Sequence, residues 1–301
     1  MAKHSTFERW RQRNLDYPVQ AALAWALFHA VGLLPVDAAS ALGGWIGRTV
    51  GPLLPAHRRA RRNLERAFPD KDVREIRAIL RGMWDNLGRV ITEYPHLRTI
   101  WDQAETGRIE VIGREHVEAL RLDGRPGILV GAHLGNWELL ATGGVRMGLP
   151  LTFVYRHANN PPVDRLLRRA RATEGATFLP KGPEAARGLF ATLRSGGHIA
   201  MLVDQKLNRG IAVPFFGRPA MTAPTPAQFA RVFDCPLVMV HIERLGGARF
   251  RLTIDPPLER ARTGDDKADD AATMARINNA IEAWVRARPE QWLWTHRRWK
   301  D

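Results

Sequence analysis

A histidine and a glutamate lie close together in the segment Gly-Ala-His-Leu-Gly-Asn-Trp-Glu, residues 131–138. A carboxylate bonded to one imidazole nitrogen fixes the tautomer and leaves the other nitrogen free to take a proton. A pair of His133 and Glu138 would suit removal of a proton from an alcohol as that alcohol attacks an acyl group. The structural alternative is a satisfied histidine beside a glutamate that only caps a helix N-terminus, where carboxylates are common.

The elements around this segment decide whether the two side chains can meet. Residues 127–132 form an apolar run suited to a buried strand, and residues 137–147 follow as a helix. His133 would then leave the carboxyl end of the strand, where open α/β sheets place their sites. Asn136 is a suitable N-cap for the helix. Residues five apart point away from each other on a continuous helix, so we expect a bend at Gly135 to bring the two side chains together.

From Arg108 onward, short apolar runs alternate with helical patterns, which indicates an α/β sheet covered by helices. Further strands are predicted at residues 151–156, 198–203, 236–243 and 249–254, the last two paired across Gly246-Gly247. Further helices are predicted at residues 163–173, 184–195, 226–233 and 272–288. Residues 255–271 are predicted to be a solvated, acidic connection.

The first hundred or so residues read as mostly helical, and residues 17–36 are their most apolar stretch. This stretch has about the length of a membrane span, but Gln20 and His29 interrupt it. Basic residues flank it on both sides, which favours a helix lying in or dipping into one leaflet, with both flanks on the cytoplasmic face. A buried core helix is the alternative. A cleaved signal peptide is disfavoured because Glu8 and Asp16 precede the stretch.

Two further features of this region suit a membrane surface. Trp25 lies within the apolar stretch, and tryptophan favours membrane interfaces. A cluster of arginines follows the apolar stretch. A run of charges is by itself more often a solvated helix face. Placed after a membrane-binding helix, the cluster becomes a candidate for binding lipid headgroups. The cluster consists of Arg58, Arg59, Arg61 and Arg62. We therefore expect a membrane-associated helical region at residues 1–100 and a catalytic α/β region at residues 101–301, together one continuous domain.

The formal charge of +14 implies an anionic partner, which could be nucleic acid, lipid headgroups, a phosphorylated substrate or an acidic carrier protein. No helix-turn-helix, zinc or aromatic-strand signature supports nucleic acid. Cys235 is the only cysteine, so no disulfide can form within the chain. The sequence has no Gly-x-Ser-x-Gly elbow, Walker loop, His-Glu-x-x-His or Rossmann fingerprint. We expect neither a metal nor a cofactor.

Four segments, spread in order over nearly the whole chain, resemble one protein family. Residues 133–138 resemble the His-x-x-x-x-Asp/Glu motif of glycerolipid acyltransferases, in the Glu form of the lipid A biosynthesis (lauroyl/myristoyl) acyltransferases of Gram-negative bacteria. Val-Tyr-Arg at 154–156 with Asn-Asn-Pro at 159–161 resembles the second motif of that family. Val-Asp-Gln at 203–205, followed by Val-Pro-Phe-Phe-Gly at 213–217, resembles the third, and residues 289–299 resemble its C-terminal end.

The resemblance implies transfer of a fatty acyl chain from acyl carrier protein to a hydroxyl of a lipid A precursor. It makes His133 the general base and Glu138 its orienting partner, with no acyl-enzyme. It also implies the cytoplasmic face of the bacterial inner membrane, with peripheral attachment or a single N-terminal anchor.

Other residues near the motifs are candidates for binding or for stabilising the thioester oxyanion. Arg156 is the first, with a phosphate clamp or a plain surface arginine as its alternatives, and the backbone after Phe216 is a lesser one. Asp204 would hold Arg156 by a salt bridge or serve a structural role. Asn136 and Arg297 complete the predicted substrate-binding set. Trp292 and Trp294 alternate along the chain, which suggests a strand edge or an interface anchor. Simple core packing of a terminal segment is the alternative, and it is slightly favoured.

Three competing functions are compatible with parts of the sequence. A related enzyme could acylate mannosylated phosphatidylinositol, or another lipid, from acyl-CoA. A basic nucleic-acid-binding protein and a catalytically inactive membrane scaffold are the alternatives from other classes.

Overall fold

The computed structural model describes residues 12–299, so the basic residues at positions 3, 9 and 11 that precede the apolar stretch lie outside the described chain. Its α-helices are α1 (Tyr17–Gly32), α2 (Val36–Val50), α3 (Ala56–Ala67), α4 (Val73–Glu93), α5 (Leu97–Asp102), α6 (Arg114–Leu122), α7 (Glu138–Arg146), α8 (Pro161–Arg171), α9 (Pro183–Arg194), α10 (Thr225–Val232) and α11 (Asp266–Ala287). Its strands are β1 (Ile109–Ile112), β2 (Gly127–Gly131), β3 (Leu151–Tyr155), β4 (Ala176–Pro180), β5 (His198–Leu202), β6 (Ile211–Phe215), β7 (Arg218–Thr222), β8 (Leu237–Gly246) and β9 (Arg249–Pro257).

The central sheet contains seven strands in the order β1-β9-β8-β2-β5-β3-β4. All neighbouring strands run parallel except β8 and β9, which form an antiparallel hairpin across Gly246-Gly247. The predicted α/β fold with a mixed, mostly parallel sheet flanked by helices is therefore confirmed. Strands β6 and β7 form a separate antiparallel pair, which the sequence patterns did not predict.

Helices cover both faces of this sheet. On one face, α3, α4, α9, α10 and α11 pack against Ile128 and Val130 of β2. On the other face, α5, α6 and α7 pack against Leu129 of the same strand. Every residue of β2 is buried, which explains why its sequence is a continuous apolar run rather than an alternating one. The strand that ends beside His133 is thus held from both sides.

The apolar stretch at the N-terminus forms one helix and reaches the start of the next. Helix α1 ends at Gly32, and a separate helix begins at Val36, directly after Pro35. Val31 is the only buried residue of α1, so the buried-core alternative does not describe this helix. Within residues 12–299, no helix combines the length and the apolar character that crossing a membrane requires.

The outward face of α1 and α2 is unusually apolar for a protein surface. Large apolar side chains that are more than half exposed occur on α1, in the turn after it, on α2 and in the segment that follows α2. They are Val19, Leu23, Trp25, Leu27, Leu33, Trp45 and Leu53. Exposed apolar patches of this kind mark contact with a membrane or another protein.

The predicted acidic connection at residues 255–271 is wrong at both ends. Strand β9 continues to Pro257, and α11 begins at Asp266. The Asp265 carboxylate accepts hydrogen bonds from the N–H groups of Lys267 and Ala268. The acidic residues that suggested a loop therefore form an N-cap and a first helical turn, where negative charge is favourable.

The partly buried His241 on β8, whose Nδ1 is shielded from solvent, predicts a pH dependence of folding. Its ring stacks on Trp284, with centroids 4.3 Å apart, and its Nδ1 has no hydrogen-bond partner in the described chain. Burial lowers the pKa of His241 to about 4. An unfolded histidine takes its proton near pH 6.5, so the folded state should lose up to about 3 kcal/mol as the pH falls from about 6.5 to 4.

We expect His241→Phe, which keeps the ring stack and removes the titrating group, to weaken this dependence. Urea unfolding at pH 7 and at pH 4 measures it. The unfolding free energy of the variant should fall less between the two pH values than that of the wild type. An equal fall in both proteins would contradict the assignment.

Candidate active site

His133 and Asp204 lie at the carboxyl ends of two neighbouring parallel strands. His133 follows β2 by two residues, and Asp204 follows β5 by two residues. The strands are paired through Gly131 and Leu202, and the Val203 N–H extends the pairing by donating to the Gly131 carbonyl. This register brings the two side chains to the same edge of the sheet, as predicted for His133.

The carboxylate that contacts His133 is that of Asp204. His133 Nδ1 is 2.7 Å from Asp204 Oδ1, and the His133 backbone N–H donates to Oδ2 over 2.9 Å. The Trp292 indole N–H donates to Oδ2 over 2.8 Å. Burial by itself would raise the pKa of Asp204, but the charge and hydrogen bonds of His133 hold it well below its ordinary value. An ionised Asp204 therefore fixes the Nδ1–H tautomer and leaves Nε2 as the basic nitrogen.

The predicted pairing of Glu138 with His133 is not the arrangement in this structure. Glu138 accepts from Arg171 Nε over 2.6 Å and from its Nη2 over 2.8 Å, and from the Trp137 indole over 3.0 Å. Burial raises the pKa of Glu138, but Arg171 outweighs burial and lowers it. Arg171 also donates to the Tyr94 hydroxyl. Since Glu138 begins α7 and Arg171 ends α8, this ion pair between a buried and a partly buried side chain joins two helices beside the site.

The predicted bend at Gly135 is confirmed. Its φ is 56°, a left-handed conformation that side chains disfavour. A Cβ at this position would lie 2.2 Å from the Ile242 carbonyl oxygen, so only glycine fits. The Gly135 N–H donates to the Gln291 carbonyl, and the Asn86 amide donates to the Gly135 carbonyl over 2.9 Å. Contacts from distant segments therefore fix the loop that carries His133.

Asn136 holds the loop to the helical region. Its Oδ1 accepts the Glu138 N–H over 3.2 Å, which matches the predicted capping role although the helix itself begins at Glu138. Its Nδ2 donates to Glu93 Oε2 over 2.7 Å. Asn136 is fully buried, so its direct contact is with the protein interior rather than with a ligand. The predicted substrate-binding role of Asn136 is therefore replaced by a supporting one.

Glu93 belongs to a buried charged pair that the sequence analysis missed. Arg244 donates to both carboxylate oxygens of Glu93, over 2.6 Å and 3.0 Å, and to Asn86 Oδ1 over 2.9 Å. Both charged side chains are buried. The signal that could have revealed the pair is a lone arginine near the end of an apolar strand, because an arginine there needs a partner.

A second group of polar side chains lies on the Nε2 side of His133. The Gln205 amide nitrogen is 3.1 Å from His133 Nε2 and 3.3 Å from His296 Nε2. The C-terminal segment is held against the loop, since the Leu293 N–H donates to the His133 carbonyl. Asn63 of α3 in turn donates to the carbonyls of Trp294 and His296. Two segments distant from His133 in sequence, the loop with Gln205 and the C-terminal segment, therefore surround its imidazole, and α3 holds the second of them in place.

The arginines predicted to bind substrate lie elsewhere. Arg156 and Arg297 are exposed, and no contact of either with His133 is present in the described chain. The proposed salt bridge between Asp204 and Arg156 is wrong, because Asp204 is buried and its oxygens are taken by His133 and Trp292.

The remaining predicted residues divide between surface and interior. Trp25, Arg58, Arg61 and Arg62 are exposed, whereas Arg59 donates to the Thr295 carbonyl. Trp292 and Trp294 are buried in the core, the alternative that was somewhat favoured. Next to the lesser oxyanion candidate, the backbone after Phe216, the N–H of Phe216 itself donates to Glu282. Within residues 12–299, no cluster of three or more His, Cys, Asp or Glu side chains is placed to hold a metal ion.

Comparison with known proteins identifies the family of this chain. Residues 9–301 match the family described as bacterial lipid A biosynthesis acyltransferase. The chain belongs to this family. It is therefore an acyltransferase.

Named relatives include three acyltransferases of Escherichia coli (strain K12). The lipid A biosynthesis palmitoleoyltransferase is 27% identical over 92% of this chain and 91% of its own length. The lauroyltransferase is 29% identical over 79% of this chain and 77% of its own length. The myristoyltransferase is 23% identical over 91% of this chain and 84% of its own length.

Three of the four segments that resemble family motifs converge in space. The first and third motifs and the C-terminal segment meet around His133, through Asp204, Gln205 and His296. The Val-Pro-Phe-Phe-Gly segment packs its Phe215 ring against Trp292, with centroids 5.6 Å apart. Segments that are far apart in sequence therefore lie together around His133.

Proposed function

We propose that this acyltransferase moves a fatty acyl chain from acyl carrier protein to a hydroxyl of a lipid A precursor, with His133 as the general base. The observation that carries the proposal is the His133–Asp204 pair at the carboxyl edge of the sheet, with Nε2 of the imidazole turned toward the exposed Gln205. The names of the relatives support the acceptor.

The reaction follows from the protonation state of the imidazole. His133 Nε2 takes the proton of the acceptor hydroxyl as its oxygen attacks the thioester carbon, and the carbonyl electron pair moves onto the carbonyl oxygen. Collapse of this oxyanion restores the C=O bond and breaks the C–S bond. The leaving thiolate takes the proton from the His133 imidazolium, so the products are an ester and a thiol. Asp204 stabilises the imidazolium between the two proton transfers.

Glu138 has a supporting role in this proposal. Its ion pair with Arg171 fixes the start of α7 against the end of α8, close to the loop that carries the base. Trp137 connects the two sites, since its ring lies 5.2 Å from that of His133 and its indole N–H donates to Glu138. Glu138 would therefore act indirectly, by holding Trp137 and the start of α7 in place beside His133.

We further propose that the protein works at the cytoplasmic face of the bacterial inner membrane, held by the apolar outward face of α1 and α2. The Asn160 side chain of the second motif donates to the Tyr17 carbonyl at the start of α1 over 2.8 Å. This contact ties the apolar helix to the start of α8, and the last residue of α8, Arg171, pairs with Glu138 beside the site. The exposed arginines of α3 would contact anionic headgroups.

Donor competition tests the choice of acyl donor. We expect the purified protein to use acyl carrier protein thioesters at least about tenfold more efficiently than acyl-CoA. The reason is that a chain with a formal net charge of +14 attracts an acidic carrier protein. The measurement is kcat/KM with each donor at matched chain length, with added salt as the control for electrostatic attraction. Exclusive use of CoA thioesters would contradict this choice and favour a phosphoinositide-type acceptor.

A further inference from the structure

The amide of Gln205 is placed between the base and a second histidine. Its nitrogen is within hydrogen-bonding distance of Nε2 of both His133 and His296, and the two imidazole rings meet edge to face with centroids 4.8 Å apart. A side-chain amide carries two N–H donors. One donor can therefore point at each imidazole.

The protonation states of the two histidines match these donors. His133 uses its Nδ1–H toward Asp204, so its Nε2 carries a lone pair. Burial lowers the pKa of His296 to about 4, so this ring is neutral at pH 7, and in its Nδ1–H tautomer Nε2 can accept a hydrogen bond. The opposite orientation of the amide would direct its carbonyl oxygen at the lone pair of His133, which is repulsive.

The consequence is that the lone pair of the base is already occupied when no substrate is bound. An acceptor hydroxyl that donates its proton to His133 Nε2 must displace Gln205 from it. The displaced amide then has one free N–H, while His296 still holds the other. Gln205 is exposed, so its side chain has room to turn.

We propose that Gln205 is a catalytic residue whose freed N–H donates to the oxyanion of the thioester, and that His296 is a positioning residue that holds the amide for this task. The inference rests on His133 being the base. The oxyanion oxygen is bonded to the same carbon that the hydroxyl oxygen attacks. An N–H that leaves Nε2 as the hydroxyl arrives therefore lies beside the oxyanion as it forms. The donor is thus coupled to acceptor binding, a role that the exposed Arg156 has no contact to fulfil in the described chain.

Substitution of Gln205 tests the proposal. Gln205→Met keeps a side chain of similar length without an N–H, and it should lower kcat about 100-fold, the usual effect of removing one oxyanion donor. KM for both substrates should stay within about threefold, because the contact is made only in the transition state. Asn208→Leu, which replaces another exposed amide of the same loop, is the matched control and should keep its kcat.

Gln205→Glu provides a second readout that a merely structural residue would not change. The carboxylate has no N–H to donate, so kcat should again fall. Its negative charge next to His133 favours the imidazolium, so the acidic limb of the kcat/KM profile should move to higher pH. An unmoved limb would show that residue 205 does not contact the base in the free enzyme, which would overturn the proposal.

A double-mutant cycle tests the positioning role of His296. His296→Ala should lower kcat less than Gln205→Met does. The double variant should be no slower than Gln205→Met alone, because His296 acts only through the amide. Additive losses would contradict this role.

The outcomes separate this inference from the proposed function. Full activity of Gln205→Met, or a change in KM alone, with an inactive His133→Ala, would overturn the role of Gln205 and leave the base in place. Retained turnover by His133→Ala would instead remove the base itself. Circular dichroism and thermal melts of each variant distinguish a lost donor from a lost fold.

Discussion

Replacing His133 with alanine is expected to lower kcat for acyl transfer by about 10²- to 10⁴-fold, the contribution typical of a positioned general base. The fold should remain, because Asp204 keeps its hydrogen bond from the Trp292 indole and can keep the one from the backbone N–H of residue 133. The measurement is single-turnover transfer from acyl carrier protein to a lipid A precursor, followed by mass spectrometry.

His116→Ala is the matched control for this substitution. His116 is a partly exposed histidine on α6, outside the described site, and its replacement should leave kcat unchanged. Liposome binding of His133→Ala should equal that of the wild type, which also separates an enzyme from an inactive membrane scaffold. Turnover within tenfold of the wild type would remove His133 as the base.

Asp204→Asn is expected to have an effect of similar size, about 10³- to 10⁴-fold in kcat. A neutral amide can hydrogen-bond the wrong tautomer of His133 and cannot stabilise the imidazolium, as in other histidine–aspartate pairs. KM should change little, because the Asp204 carboxylate is buried and cannot reach the substrate. Steady-state kinetics with saturating acceptor measure the loss.

Glu138→Gln is the informative comparison for Asp204→Asn. It leaves the partly buried Arg171 beside a neutral partner, so the free energy of unfolding should fall by about 2 kcal/mol. Its loss of kcat, measured where the protein is still folded, should be smaller than that of Asp204→Asn. If instead Asp204→Asn were nearly fully active and Glu138→Gln inactive but stable, Glu138 would be the partner of the base during turnover.

Local patterns in the sequence were sufficient for most of the fold. Strand β2 is predicted because burial on both faces demands a continuous apolar run, and the β8–β9 hairpin is predicted from the Gly246-Gly247 turn. Strand β4 and the β6–β7 pair were missed. The residues of β4 are only partly buried in an irregular pattern, so neither apolar alternation nor a continuous run marks it. Strands β6 and β7 do bury alternate residues, but each is short and contains a proline, Pro214 or Pro219, which argues against a strand.

The site was predicted in part, because its chemistry comes from two kinds of information. His133 and the bend at Gly135 are local, and a strand followed by a glycine-containing loop is visible in the sequence. The partner of His133 is not local, since it depends on which strand lies beside β2. The chain places β5 there, so the carboxylate at its end reaches the imidazole, while Glu138 turns to Arg171.

Long-range polar contacts account for the other missed residues. Arg244 and Glu93 are far apart in sequence, and only the packing of α4 on the sheet brings them together under Asn136. His296 was seen as part of a tryptophan- and arginine-rich end, but its place beside Gln205 depends on how that end folds back over the loop. No periodicity encodes either contact.

The most direct test of the account is mass spectrometry of lipid A from cells of the source bacterium that carry or lack this protein. We predict that lipid A from cells without it lacks one secondary acyl chain, that the wild-type gene restores the chain, and that the His133→Ala variant, present at an equal level, does not. Lipid A that is unchanged by loss of the protein, or fully restored by His133→Ala, would contradict the account.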